Sequence, residues 1–256
     1  MTVNENGTLR IFDKQNQKIF DQVFLIENGG DDRDEYDYSP LPQEKLLYSD
    51  RVKANVTLKQ TPFIATIEIS FTLAVPMDLE KRTVKVSNSF VEVELTVTLP
   101  NHKPLIKVAI ELNNQAKDHR LRLLVPTGIA ANCSISDNQF GYIKRDVYDQ
   151  AMDVWQQEGW DERPDSIYPM LGYVGLSNEA YGVTIATNST REFEIVGEES
   201  DTIAITLFRS IGFLGKENIL RRPGRPSGIK LPTPDSQMLG KITLSLVHPF
   251  WIDAKS

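Results

Sequence analysis

From Arg51 to Leu112 apolar and polar residues alternate, and a two-residue rhythm confines a chain to strands with one buried face. Val52, Ala54, Val56 and Leu58 alternate with Arg51, Lys53, Asn55, Thr57 and Lys59. After Pro62 the pattern resumes with Ala65, Ile67, Ile69, Phe71, Leu73 and Val75 against Thr66, Glu68, Ser70 and Thr72. Val91, Val93, Leu95, Val97 and Leu99 form a third run, and Ile106, Val108, Ile110 and Leu112 a fourth. Short connections between such runs predict an antiparallel sheet lying on a core. Strands of about ten residues predict a large sandwich rather than a small barrel.

The second half is more broken. Strands are predicted over Leu121 to Val125, Tyr181 to Thr187, Phe193 to Val196, Thr202 to Arg209 and Ile242 to Val247. Asp146 to Trp160 holds Val147, Ala151, Val154 and Trp155 at roughly helical spacing, the one short helix expected. Arg221 to Pro234 contains four prolines and two glycines and must be irregular. Asn113 to Lys117 interrupts the pattern between the halves, but composition does not shift there, so residues 1–256 are read as a single unit.

A formal net charge of −7 argues against a nucleic-acid surface. No apolar run of about 18 residues predicts a membrane span, and the first residues lack the pattern of a secretory signal. A lone cysteine, Cys133, excludes an internal disulfide framework and suits a reducing compartment. A cytoplasmic location is therefore expected, and the Asn-X-Ser/Thr matches at Asn6, Asn55, Asn132 and Asn188 are read as chance. The histidines, His102, His119 and His248, are scattered without metal-ligand spacing. No phosphate loop, dinucleotide fingerprint or nucleophile elbow is present.

Three polar stretches remain. Gly30 to Pro40 carries Asp31, Asp32, Asp34, Glu35 and Asp37 with Arg33, Tyr36 and Tyr38. Prolines and charge repulsion make it a shaped loop, and its tyrosines offer a ring face and a hydroxyl to a sugar. Within Lys117 to Arg122, Asp118 and Arg120 fall on one face of an extended segment and are expected to pair as a brace. Arg221, Arg222 and Arg225 lie on the Pro/Gly-stiffened loop, where guanidiniums could bind an anion or sugar hydroxyls, or pair with the acidic loop.

In order along the chain, Gly30–Pro40, Asn114–Thr127, Thr206–Gly212 and Arg221–Pro226 resemble the C-terminal β region of family 38 glycoside hydrolases, the α-mannosidases, bacterial members especially. The resemblance implies an all-β, antiparallel, galactose-mutarotase-like super-sandwich that follows a catalytic α/β barrel and a small helical bundle. It also implies retaining hydrolysis of a mannoside through an Asp nucleophile and a separate acid. A zinc ion held by His and Asp residues of the barrel belongs to the same picture. None of the barrel motifs occurs here, so this chain is expected to be inactive alone and to bind no cofactor itself. Its partners would be the barrel, the helical domain and a mannoside; homo-oligomers are known in the family.

The same resemblance makes Tyr36 and Arg225 the residues expected to line the mannoside cleft, with Asp34 and Arg222 as supports. The loop Arg222–Pro226 is shorter than its acidic counterpart in the animal enzymes. Two rival functions stay open: a non-catalytic carbohydrate-binding or scaffolding module, and a mutarotase-like sugar epimerase, which would need a His acid and a carboxylate base.

Overall fold

The computed structural model describes residues 1–101 and 103–249, so His102 lies outside it, and the side chain of His248 is likewise not described. Among the described residues, eighteen strands, two short α-helices and two short 3-10 helices (Ser49–Arg51 and Pro234–Gln237) follow in chain order. The first half contains β1 (Thr2–Val3), β2 (Leu9–Asp13), β3 (Lys18–Val23), β4 (Leu25–Gly30), β5 (Leu47–Tyr48), β6 (Asn55–Gln60) and β7 (Ile64–Val75). Helix α1 (Leu79–Thr83) precedes β8 (Ser89–Pro100), β9 (Leu105–Asn114), β10 (His119–Pro126), β11 (Cys133–Asn138) and β12 (Gly141–Asp146). After helix α2 (Ala151–Val154) come β13 (Ile167–Pro169), β14 (Tyr173–Ser177), β15 (Gly182–Thr187), β16 (Glu192–Val196), β17 (Thr202–Ser210) and β18 (Gly240–Pro249).

The strands form a nine-stranded sheet in the order β12-β11-β14-β15-β18-β9-β8-β7-β6, a six-stranded sheet β13-β16-β17-β10-β4-β5, and a three-stranded sheet β1-β2-β3. Every paired strand is antiparallel, as the alternation predicts. Ile69, Leu95 and Ile110 from the larger sheet share one core with Ile26, Leu123, Phe193 and Ile205 from the smaller. Two layers over a common core make the expected all-β sandwich. Asn113 to Lys117, the interruption between the halves, carries the chain from β9 in one sheet to β10 in the other.

Three expectations need correction. Asp146 to Trp160 holds only a single helical turn, α2, while the sequence reading had no place for α1. Asp78 starts α1 by accepting the Lys81 amide at 2.8 Å, the usual action of an aspartate N-cap. The apolar residues of β6 do not enter the core: Val56 is 45% and Leu58 62% exposed. β6 is the edge of the wider sheet, beyond the cover that six strands can give nine. Asp118 and Arg120 do not pair. Asp118 has a positive φ of 52° and accepts from Gln237 Nε2, so its side chain leaves the strand's alternation before β10 begins.

β10 shows how the sandwich presents a polar outer face. Leu121, Leu123 and Val125 point into the core, while Arg120 and Arg122 point away from it and are buried all the same. Arg122 is matched across the sheet by Glu27 on β4 and Glu194 on β16. Charges this dense on the outside of a sheet stay buried only because loops cover them, and those loops carry the candidate site.

Candidate functional site

The acidic loop leaves the end of β4 and is tied down at nearly every residue. Asp31 receives Arg209 Nε at 2.7 Å from the end of β17 and hydrogen-bonds through its amide to the Asp118 carbonyl. Burial pushes the Asp31 carboxyl up, against the pull of the Arg209 guanidinium. Arg209 also donates to the Asp34 and Asp37 carbonyls, gathering the loop around one guanidinium. Asp34, fully buried, accepts the Tyr36 amide at 3.2 Å, the Lys216 amide at 3.1 Å and Arg222 Nη2. Asp32 pairs with Lys216, Glu35 accepts from Ser236, and Asp37 takes Arg33 at 2.8 Å. No carboxylate of the loop is left without a partner, which removes the cluster as a source of a free acid–base pair.

Tyr38 is equally fixed. The guanidinium carbon of Arg120 lies 3.4 Å from its ring centroid and that of Arg221 5.4 Å away. Burial pushes its hydroxyl up to about 12. Tyr36 differs: it is 54% exposed, and no hydrogen bond of its hydroxyl occurs among the described residues. Its hydroxyl lies against Gly228, where a β-carbon would approach to 2.8 Å. The phenol stands at a cleft of about 690 Å³ between the acidic loop and the segment around Glu162 to Pro169, a volume in the range of small-ligand sites.

Of the four expected site residues, three come together: Asp34 accepts the Tyr36 amide and forms a buried ion pair with Arg222, but of these three only Tyr36 lines the cleft. Arg225 does not line the cleft; it is exposed and pairs with Asp161 at 2.9 Å. The choice left open for the Arg-rich loop is decided in favour of the acidic loop: Arg222 grips Asp34, and Arg221 donates to the Tyr38 carbonyl while pairing with Asp165. Sequence reasoning missed Glu162, which pairs with Arg33, together with Arg163 and Asp165 of the cleft wall. The run Asp161, Glu162, Arg163, Pro164, Asp165 was their available signal, since charge ahead of a proline marks a shaped loop.

Among the described residues no group of three or more His, Cys, Asp and Glu is placed to hold a metal ion, so the donor set here does not suit zinc. His119 is fully buried between Asn28 Nδ2 at 2.6 Å and Asn114 Oδ1 at 2.9 Å. Burial, helped by Arg82, holds its pKa down to about 3. A neutral imidazole locked in that way cannot serve as an epimerase acid. No helix in the described residues is long and apolar enough to cross a membrane.

Residues 1–214 match the profile of the glycosyl hydrolases family 38 C-terminal domain. The chain belongs to this family. A putative mannosylglycerate hydrolase of Halalkalibacterium halodurans is 29% identical to this chain over 238 residues, covering 86% of this chain and 25% of that protein. An α-mannosidase from Enterococcus faecalis V583 superposes with a TM-score of 0.80 at 24% identity, over 97% of this chain and 28% of its own. A family 38 glycosyl hydrolase from Enterococcus faecalis gives 0.78 at 25% identity, over 96% and 28%. This chain thus spans about a quarter of the length of these relatives.

Proposed function

We propose that this chain is the C-terminal β domain of a retaining α-mannosidase. It supports the catalytic barrel and contributes Tyr36 to the mannoside-binding cleft. The observation that carries the reading is the contrast within one loop. Five carboxylates are consumed in holding the backbone, while one tyrosine stands exposed over a cleft. A braced loop with a presented phenol is a device for positioning, and positioning contributes to turnover only when reacting groups sit nearby. Those groups, with the zinc, belong in this reading to the barrel and helical segments of a longer chain. The reaction would be cytoplasmic, and Asp34 and Arg222 would act on substrate only through the loop they brace.

The test is Tyr36→Phe in the complete hydrolase. Loss of one transition-state hydrogen bond lowers kcat by about tenfold. Unchanged steady-state kinetics would remove Tyr36 from the cleft's working parts. Tyr168, which lines the cleft beside Tyr36, favours sugar binding by the domain itself as a second reading. Calorimetric titration of this chain with methyl α-mannoside distinguishes the two, since a supporting domain alone gives no heat.

A further inference from the structure

We propose that a second groove, between residues 41–47 and residues 76–87, binds an acidic peptide segment. Its carboxylate sits at Lys45 and Lys85, an apolar side chain lies on Leu41 and Leu47, and a backbone N–H reaches Glu44. The groove holds about 450 Å³ and shares no lining residue with the cleft at Tyr36, so its occupant is independent of any mannoside.

A buried ion pair spans the groove. The side chains of Glu44 and Arg82 are each 5% exposed and meet at 2.9 Å. Glu44 Oε1 also accepts the Gly30 amide at 2.5 Å, and Arg82 Nη2 donates to Asn28 Oδ1 at 2.5 Å. Glu44 Oε2, by contrast, is buried with no hydrogen-bond partner among the described residues. An acceptor left open in this way costs free energy that a donor on a guest recovers. The same carboxylate touches the acidic loop: Gly30 stands at the loop's start, and Leu41 of the groove follows Pro40 at its end.

The rim carries a charge imbalance. Four charged side chains line the groove; Glu44 and Arg82 neutralise each other, which leaves Lys45 and Lys85. Among the described residues neither lysine has a carboxylate within ion-pair distance. The turn that ends α1 fixes the backbone of Lys85 at a φ of 58°, with its amide on the Arg82 carbonyl at 3.0 Å. Two uncompensated ammoniums attract a carboxylate and repel an amine. Leu41, Pro42, Leu47 and Pro76 supply an apolar wall. An extended peptide meets all three demands at once. Its side chains at i and i+2 share one face, so an apolar group and a carboxylate enter together while the backbone provides the N–H. A fatty acid lacks that donor, and a neutral sugar lacks the charge.

The experiment titrates this chain with two peptides, acetyl-Leu-Ala-Glu-Ala-Leu amide and the same peptide with Gln in place of Glu. Nuclear magnetic resonance follows the backbone amides of residues 41–47 and 79–87. The acidic peptide is expected to shift these resonances and to bind about tenfold more tightly than its Gln counterpart, the scale of a charge-assisted hydrogen bond. The Lys45→Gln, Lys85→Gln double variant alters two exposed side chains, keeps the fold and loses that preference. Shifts that fall elsewhere, equal affinities for the two peptides, or a preference that survives the double variant overturn the inference. Decanoate displacing the acidic peptide at lower concentration overturns it in favour of a fatty-acid site. Movement of the same resonances with protein concentration alone overturns it in favour of a second copy of this chain.

Discussion

Tyr36 draws its importance from what its neighbours cannot do. The carboxylates around it are occupied, and its phenol is positioned by the Asp34 carboxylate on its amide and by the missing side chain at Gly228. Gly228→Ala adds a methyl that would sit 2.8 Å from the Tyr36 hydroxyl oxygen and 3.3 Å from a ring carbon. The phenol is free to swing aside, so stability changes little, within about 0.5 kcal/mol for a surface substitution. Turnover of the complete hydrolase is expected to drop about as far as in Tyr36→Phe, roughly tenfold. Full activity with a displaced ring would show that the phenol's position is unimportant.

His119 supports a prediction about pH. Its folded-state pKa, about 3, lies below the ordinary value of 6.5, so the unfolded chain binds a proton that the folded one refuses. Stability is therefore complete above about pH 6.5 and is lost as pH falls toward 3, by an amount on the order of a few kcal/mol. His119→Gln should flatten the pH dependence of the urea midpoint across that window. Parallel slopes for variant and wild type would assign the acid sensitivity to other groups.

At the scale of elements, identical patterns have different consequences. Leu58 on β6 and Leu95 on β8 both belong to clean alternations, yet Leu58 is 62% exposed and Leu95 1%. Leu95→Ala is expected to cost about 2–5 kcal/mol by leaving a cavity. Leu58→Ala should stay within about 0.5 kcal/mol. Equal losses in chemical denaturation would mean that the outer edge of the sheet is covered in solution. Alternation reports which side chains share a face; how far the opposite sheet extends is a property of the assembled layers, so β7, β8 and β9 were legible and the fate of β6 was not.

The loops divide in the same way. Their irregularity was readable from prolines and from charge, and the Arg-rich loop's affinity for the acidic one was among the readings open from composition. Which arginine meets which acid was not readable, because Asp34 and Arg222 are 188 residues apart and Asp31 and Arg209 are 178 apart. The Asp118–Arg120 pairing failed for a smaller reason. A single residue at positive φ turned one side chain off the strand's face.

For the whole molecule, a core shared by both large sheets implies that they melt together. This chain alone is expected to unfold in one transition, with far- and near-ultraviolet dichroism changing in step, and to leave aryl mannosides intact with or without added zinc. Separate transitions would divide it into independently folding parts, and zinc-dependent hydrolysis would refute the supporting role. β18, synthesised after every other described strand, lies between β15 and β9 in the middle of the nine-stranded sheet. As the chain emerges from the ribosome, β12-β11-β14-β15 and β9-β8-β7-β6 therefore remain two separate four-stranded sheets. Each keeps a bare interior edge until residues 240–249 arrive to join them, a long-range closure of the slow and aggregation-exposed kind.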